Sequence, residues 1–312
     1  MNKDSIKEKN FNYPEWKLIL MMILAVIVWA FAFPFIKIGL EELSYINLTI
    51  MRFFVVCCAF ILILLLQKKR FTKLQKKDII PIFFIGFLGV MVYHLGLNYG
   101  EQFISPSAAS LIIASIPVLI VTLAIIFLKE KITLIKLFGI MLALFGVILI
   151  SVWGKISSTL DMDYIIGTLA VVIAAIMGAI YTIIGKKYLE RYSGLSLTVY
   201  AILLGSLGIV PLINYSLFDQ VSKMSLNGWF AVLFLGIFST VIGYVIWYVV
   251  LKIKTASEIS VYLYAIPVLS TIFSYFMFND EITSMFILGG ILVIIGLIIV
   301  NKKTKKIDKQ KT

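Results

Sequence analysis

Ten stretches of 17 or more predominantly apolar residues follow one another along this chain, and nothing else in it constrains the fold as tightly. They lie at about 18–39, 45–66, 79–99, 105–128, 134–152, 164–184, 195–215, 228–250, 257–278 and 284–300. Each approaches the roughly 20 residues that a helix needs to cross a bilayer core. Alternation at period two is absent, and a membrane barrel would require it. Hydrophobic residues make up 61% of the 312 and charged residues only 14%, too little polar surface to clothe a soluble domain of this size. The expected fold class is an all-α integral membrane protein with ten transmembrane helices.

The second constraint is internal. Ser105–Ile150 aligns without a gap on Thr255–Val300, with 12 identities in 46 positions. Apolar bias inflates that number, but it does not produce the matches Ser107/Ser257, Ser110/Ser260, Pro117/Pro267, Thr133/Thr283, Gly139/Gly289 and Gly146/Gly296. The first stretch aligns with the sixth at the same offset, Lys37 on Lys187, so it reads as part of the repeat and not as a cleavable signal. The pattern is a duplicated five-helix unit, residues 18–152 and 164–300, between a polar lead at 1–17 and a basic tail at 301–312. Five is odd, so the second unit must enter the membrane from the side opposite the first. The units are then inverted repeats about an axis in the membrane plane, the architecture of carriers that open a central site to alternate sides.

Charge sets the expected orientation. With both termini cytoplasmic, 24 of the 28 Lys and Arg fall in inner segments, Lys37, Lys155 and Lys223 in outer ones, and Arg52 inside a span. Short loops with this bias favour cytoplasmic termini. The net charge of +12 therefore reads as a topology and lipid signal, the tail beyond Val300 lying near anionic headgroups, and nucleic acid is excluded as a partner. Cys57 and Cys58 are adjacent within a span, suit neither zinc nor a disulfide, and are expected as small packing residues.

Within the spans, Pro34 is expected to kink or end the first helix. Arg52, seven or eight residues in from its boundary, either snorkels outward or points into the bundle. The third span holds Tyr93, His94, Asn98 and Tyr99, with His94 and Asn98 four apart on one face. His94 is the only histidine, and an ionisable group at membrane depth is expected to face the pore; its pKa permits, without requiring, proton transfer. The stripes Gly139/Ala143/Gly146 and Gly289/Gly296 either pack helices within one chain or form a homodimer face. Tyr99 and Tyr248, near helix ends, are expected in the interfacial belt.

The WxxxFxxxK of Trp29, Phe33 and Lys37, the run from Ser107 to Val118, and its ending KEKIT (129–133) resemble the drug/metabolite transporter superfamily, more narrowly its EamA-type ten-helix permeases. The resemblance covers about 18–300. It implies that Pro117 and Pro267 break helices beside the cavity and that Glu130 and Asp280 cap the turns that follow. It also implies export of amino acids, other small metabolites or toxic compounds, usually from the cytoplasm. The chain departs from the family in its first helix. Trp29 is followed by Ala30 and Phe31, where the family often has Trp-Gly and a small or polar residue, so that wall of the cavity is bulkier and more apolar.

Polar or aromatic residues at mid-depth are the candidate substrate contacts: Trp29, Tyr93, His94, Asn98, Ser110, Tyr181, Tyr244, Trp247, Tyr262 and Ser270. Aromatic faces suit apolar or cationic groups, while hydroxyls, Asn and His orient a polar head. The first and sixth spans lack the carboxylate a small multidrug-type proton antiporter would use. Arg52 alone is thin provision for a phosphate ester. One His without a deep carboxylate pair does not make an enzyme. The alternatives are a sensory receptor, which would use a similar pocket but has no evident use for an inverted repeat, and an importer or multidrug efflux carrier of the same fold. The expectation is a multi-pass, non-enzymatic permease of the plasma membrane, exporting a small metabolite by alternating access. It needs no metal or cofactor, its partners are a small-molecule substrate and the lipid bilayer, and a coupling proton or ion and a homodimer stay open.

Overall fold

The computed structural model describes residues 13–120, 123, 134–153, 162–254, 259, 261–280 and 282–301. The lead to residue 12, Lys129–Lys131 with Glu130, Thr133, Lys155, Ser257, Ser260 and the tail from 302 lie outside the described residues. The helices are α1 (Glu15–Glu42), α2 (Tyr45–Leu66), α3 (Lys76–Gly100), α4 (Pro106–Ile120) and α5 (Leu134–Trp153). They continue as α6 (Met162–Tyr188), α7 (Gly194–Leu212), α8 (Leu226–Ile253), α9 (Tyr262–Phe278) and α10 (Ser284–Asn301). A short helix, Tyr215–Ser222, bridges α7 and α8. Among the described residues there is no strand. Six helices, α1, α2, α3, α6, α7 and α8, are long and apolar enough to cross a membrane, and the other four contribute shorter apolar stretches.

Local chemistry starts these helices where expected. Ser44, Ser105, Ser193 and Ser225 each accept a backbone N–H of the first turn they precede, and Pro106 takes the first position of α4. Serine offers an acceptor to donors that have no intrahelical partner, and proline has no donor to lose. Large apolar side chains such as Phe54, Leu65, Phe145 and Phe276 stay exposed around the bundle, a surface suited to lipid.

The packing crosses between the two units of the duplication. α3 lies against α6 and α7, α8 lies against α1 and α2, α4 meets α9, and α5 meets α10. In the last pair a Cβ added at Gly146 would lie 2.5 Å from the Gly289 carbonyl oxygen, and one at Gly296 would lie 2.5 Å from that of Gly139. Early residues of α5 thus meet late residues of α10, so the two run antiparallel. The small-residue stripes are spent inside the chain, where a larger side chain would push the backbones apart.

The structure decides two local expectations. α1 does not end at Pro34 but continues to Glu42, because one missing donor is tolerated where buried neighbours such as Phe33 and Ile36 hold the helix. Cys58 is exposed and Cys57 half-buried, so they are not both core packing residues. α7 tightens into a 3₁₀ segment, Ser206–Leu212, around Pro211. Matching irregularities mark α3 and α8, which carry π-helical turns at Phe87–Val92 and Phe234–Ile242.

Candidate functional site

α1, α2, α3, α4, α6, α8 and α9 line a cavity of about 100 Å³. Six pairs of its lining residues are equivalent in the duplication, each 150 apart: Ala32/Thr182, Gly89/Ser239, His94/Tyr244, Leu97/Trp247, Ile113/Leu263 and Ile116/Ile266. A cavity lined by equivalent residues lies where the two units face each other. His94 and Tyr244 make this direct, since the Tyr244 hydroxyl and His94 Nε2 are 3.0 Å apart.

Aromatic rings form the walls. Trp29 donates from Nε1 to the Ser239 carbonyl at 2.9 Å. Its ring stands edge-on to Tyr244 (6.2 Å, 84°) and 5.7 Å from Trp247. Tyr93 stands edge-on to His94 at 4.7 Å. Tyr181 stacks on Tyr248 (4.5 Å, 4°), and the Tyr248 hydroxyl donates to the Tyr181 carbonyl at 3.0 Å. Tyr248, expected in the interfacial belt, is therefore fully buried behind the cavity wall.

Arg52 supplies the charge. Its side chain points into the bundle, 1% exposed, and lines the cavity. Nε donates to Thr240 Oγ1 at 2.8 Å and Nη2 to Ser239 Oγ at 3.0 Å, while Nη1 has no partner. His94 Nδ1 is likewise buried and unpartnered. The π turn of α8 explains the double contact. It winds less per residue than an α-helix, so the consecutive side chains of Ser239 and Thr240 reach one guanidinium.

Among the ten candidates, Trp29, Tyr93, His94, Tyr181, Tyr244 and Trp247 line the cavity. The other four sit elsewhere. Asn98 donates to Thr49 Oγ1 at 2.9 Å, joining α3 to α2. Ser110 donates to the Ser107 carbonyl at 2.8 Å within its own helix. Ser270 is fully buried, off the cavity wall. Tyr262 faces a separate apolar groove with Ile23, Val26, Ile27, Ala265 and Leu269. Pro117 follows a turn at Ala114–Ser115 in α4, and Pro267 follows the change from a 3₁₀ turn to α-helix at Ala265. The cavity-lining residues Ile113, Ala114 and Ile116, and on the other side Leu263 and Ile266, directly precede these prolines.

Sequence reasoning missed Ser239 and Thr240. Two adjacent hydroxyls in an apolar span were the available signal, but nothing in the sequence linked them to Arg52, 187 residues away. It also missed Glu101, which follows α3 directly, is fully buried and has no hydrogen-bond partner on either oxygen. Burial pushes its carboxyl well above the usual range; Lys37 and Arg52 act against that rise and Asp280 adds to it. Ser107 donates to Asp280 at 2.7 Å, tying α4 to the end of α9 nearby. No cluster of His, Cys, Asp or Glu fit to hold a metal occurs among the described residues.

Comparison with known proteins bears on this geometry. A model of the EamA-like transporter family matches residues 16–152 and again 165–302. An uncharacterized transporter of Archaeoglobus fulgidus is 36% identical over 286 residues, covering 91% of this chain and 98% of its relative. The uncharacterized transporter YdfC of Bacillus subtilis is 31% identical, covering 90% of each chain. A probable terminal-alkyne amino-acid exporter of Streptantibioticus cattleyicolor is 28% identical, covering 92% of this chain and 94% of its own. One solved crystal structure superposes with a TM-score of 0.62 over 92% of this chain and 96% of that one, at 17% identity, a likeness of fold alone.

Proposed function

This chain belongs to the EamA-like transporter family, and from that premise we propose a ten-helix permease of the plasma membrane that exports a small amphipathic metabolite, such as an amino acid, by alternating access. The observation that carries this reading is the cavity lined by equivalent residues of the two units, closed by the His94–Tyr244 contact. The five-helix units are taken as residues 18–152 and 164–300, inverted with respect to each other. The antiparallel run of the equivalent helices α5 and α10 supports the inversion. When inverted units exchange conformations, a site between them passes from one face of the membrane to the other without moving far itself. Aromatic walls accept an apolar body, and Arg52 and His94 present unpartnered donor and ring-nitrogen positions to a polar head. The orientation follows the charge bias, with both termini cytoplasmic. The molecule is moved and not transformed, so the protein is read as a carrier and not an enzyme. The amino-acid example draws support from the exporter of Streptantibioticus cattleyicolor.

The test compares metabolites that accumulate outside cells expressing this protein with those outside cells expressing His94→Ala at matched membrane levels. A compound enriched outside only with the intact protein is the expected result. Enrichment by both proteins would retain the exporter and remove His94 from the path. No enrichment over empty cells, for amino acids, their toxic analogues and cationic compounds alike, would defeat export.

A further inference from the structure

The cavity contains a cation that the fold does not need. Ser44 caps α2 as Ser193 caps α7, and Leu48-Thr49 aligns with Leu197-Thr198, so the equivalent of Arg52 in the second unit is Ala201, fully buried: the same place in the helix packing is filled elsewhere by a methyl group. Arg52 lies seven residues along α2 from Tyr45, about 10 Å at the α-helical rise. No carboxylate pairs with it among the described residues. Glu101 acts on it only at a distance and is itself buried without a partner. A guanidinium keeps its proton in any protein environment. Burying a charge without a counter-charge is costly, and two neutral hydroxyls offset only part of that cost.

The fork is also held in place before any ligand arrives. Thr240 uses its hydroxyl hydrogen on the Leu235 carbonyl at 2.8 Å, which leaves its lone pairs to receive Arg52 Nε. With Ser239 holding Nη2, rotation of the guanidinium plane is blocked and Nη1 remains the available side. Around it stand Tyr93, His94 and Trp29, apolar in body and polar at the edge. A volume of about 100 Å³ has room for a small head group and a few carbons.

Resting on the export reading above, we infer that Arg52 anchors a carboxylate of the transported molecule, making the substrate class a small amphipathic carboxylate with an apolar body. The carboxylate supplies the missing counter-charge and accepts from Nη1, a charge-assisted contact of the kind guanidinium geometry favours. It belongs either to a zwitterionic amino acid or to a simple organic acid. In the first case the ammonium group has His94 Nδ1 and the faces of Tyr93 and Trp29 within the same cavity.

Matched probes on the purified full-length protein test this, read by the change in tryptophan fluorescence, to which Trp29 and Trp247 at the cavity wall contribute. The sets are L-phenylalanine, 3-phenylpropionate and phenethylamine, and L-norleucine, hexanoate and hexylamine. The expected result is saturable binding of carboxylates and none of the amines, with Arg52→Gln weakening the carboxylates at least roughly tenfold and Arg52→Lys less. Norleucine and phenylalanine binding without their simple acids selects the zwitterion; the reverse selects the organic acid. Because Arg52→Gln can fail to fold, the second variant is Thr240→Val, which keeps the charge but frees the fork. It should weaken carboxylates while amines stay excluded. A merely structural Arg52 would change thermal stability and leave the ratio of carboxylate to amine binding untouched. Three results overturn the inference: amines binding as well as carboxylates, Arg52→Gln retaining full carboxylate affinity, or no carboxylate of the panel binding the intact protein. None of them touches export itself, which stands or falls on the accumulation experiment.

Discussion

The two walls of the cavity come from equivalent stretches, yet they are chemically different. On the first unit's side stand Arg52, His94, Gly89, Ala32 and Leu97; at the equivalent positions of the second stand Ala201, Tyr244, Ser239, Thr182 and Trp247. The backbone frame is repeated down to the π turns of α3 and α8. The side chains are not. Charge belongs to the first unit and the hydroxyls that hold it to the second, so neither unit alone builds this cluster. Arg52 has no charged counterpart in the second unit. Duplication supplies the frame, and divergence within it supplies the chemistry of the cavity.

That comparison can be broken at several points. The largest effect is expected where the frame is tightest. Gly146→Leu and Gly296→Leu should each destabilise by ~1–3 kcal/mol or more, since each introduces side-chain bulk into a 2.5 Å gap to a facing carbonyl. Thermal unfolding of the purified variants measures this. Similar losses support equivalent packing, and a loss confined to one of them would show that α5 and α10 are not used alike. A smaller effect is expected at the contact between equivalents. His94→Phe and Tyr244→Phe, combined in a double-mutant cycle, should give a coupling of about 1 kcal/mol, the worth of one hydrogen bond. Additive losses would mean that the two rings pack without cooperating. The smallest belongs to serines off the cavity wall. Ser110→Ala and Ser270→Ala should each cost less than about 1 kcal/mol and leave export rates unchanged. A marked fall in export at normal membrane levels would return either serine to the substrate path.

How far the site was legible from sequence depends on what made each residue stand out. Trp29, His94 and Tyr244 were visible because aromatic and ionisable side chains at mid-span are costly to place against lipid or easy to place against a cavity. Arg52 was visible as a problem with two solutions, and only the packed bundle chose the inward one. Ser239 and Thr240 carried only the weak signal of two adjacent hydroxyls, since hydroxyl residues are common in membrane helices and can satisfy themselves on the preceding turn. Asn98 and Tyr262 show the opposite error. They have the chemistry of ligands but face α2 and a lateral groove, because where each side chain points depends on the rotation of its helix in the bundle. Glu101 went unread because it lies in a connection just past a helix end, where an acid is ordinarily solvated.

By itself the sequence determined that the chain is built of apolar helices, that its two halves are versions of one unit, and that small-residue stripes would bring α5 and α10 close to some partner. Those properties depend on solvent and periodicity, which act on each segment locally. Only the tertiary structure decided that the stripes meet each other, that equivalent residues line one cavity, and that Arg52 turns inward onto Ser239 and Thr240 with one nitrogen left over. The Arg52 contacts join residues nearly 190 positions apart. They depend on helix rotation and on a π turn in α8, which no local pattern of hydropathy encodes.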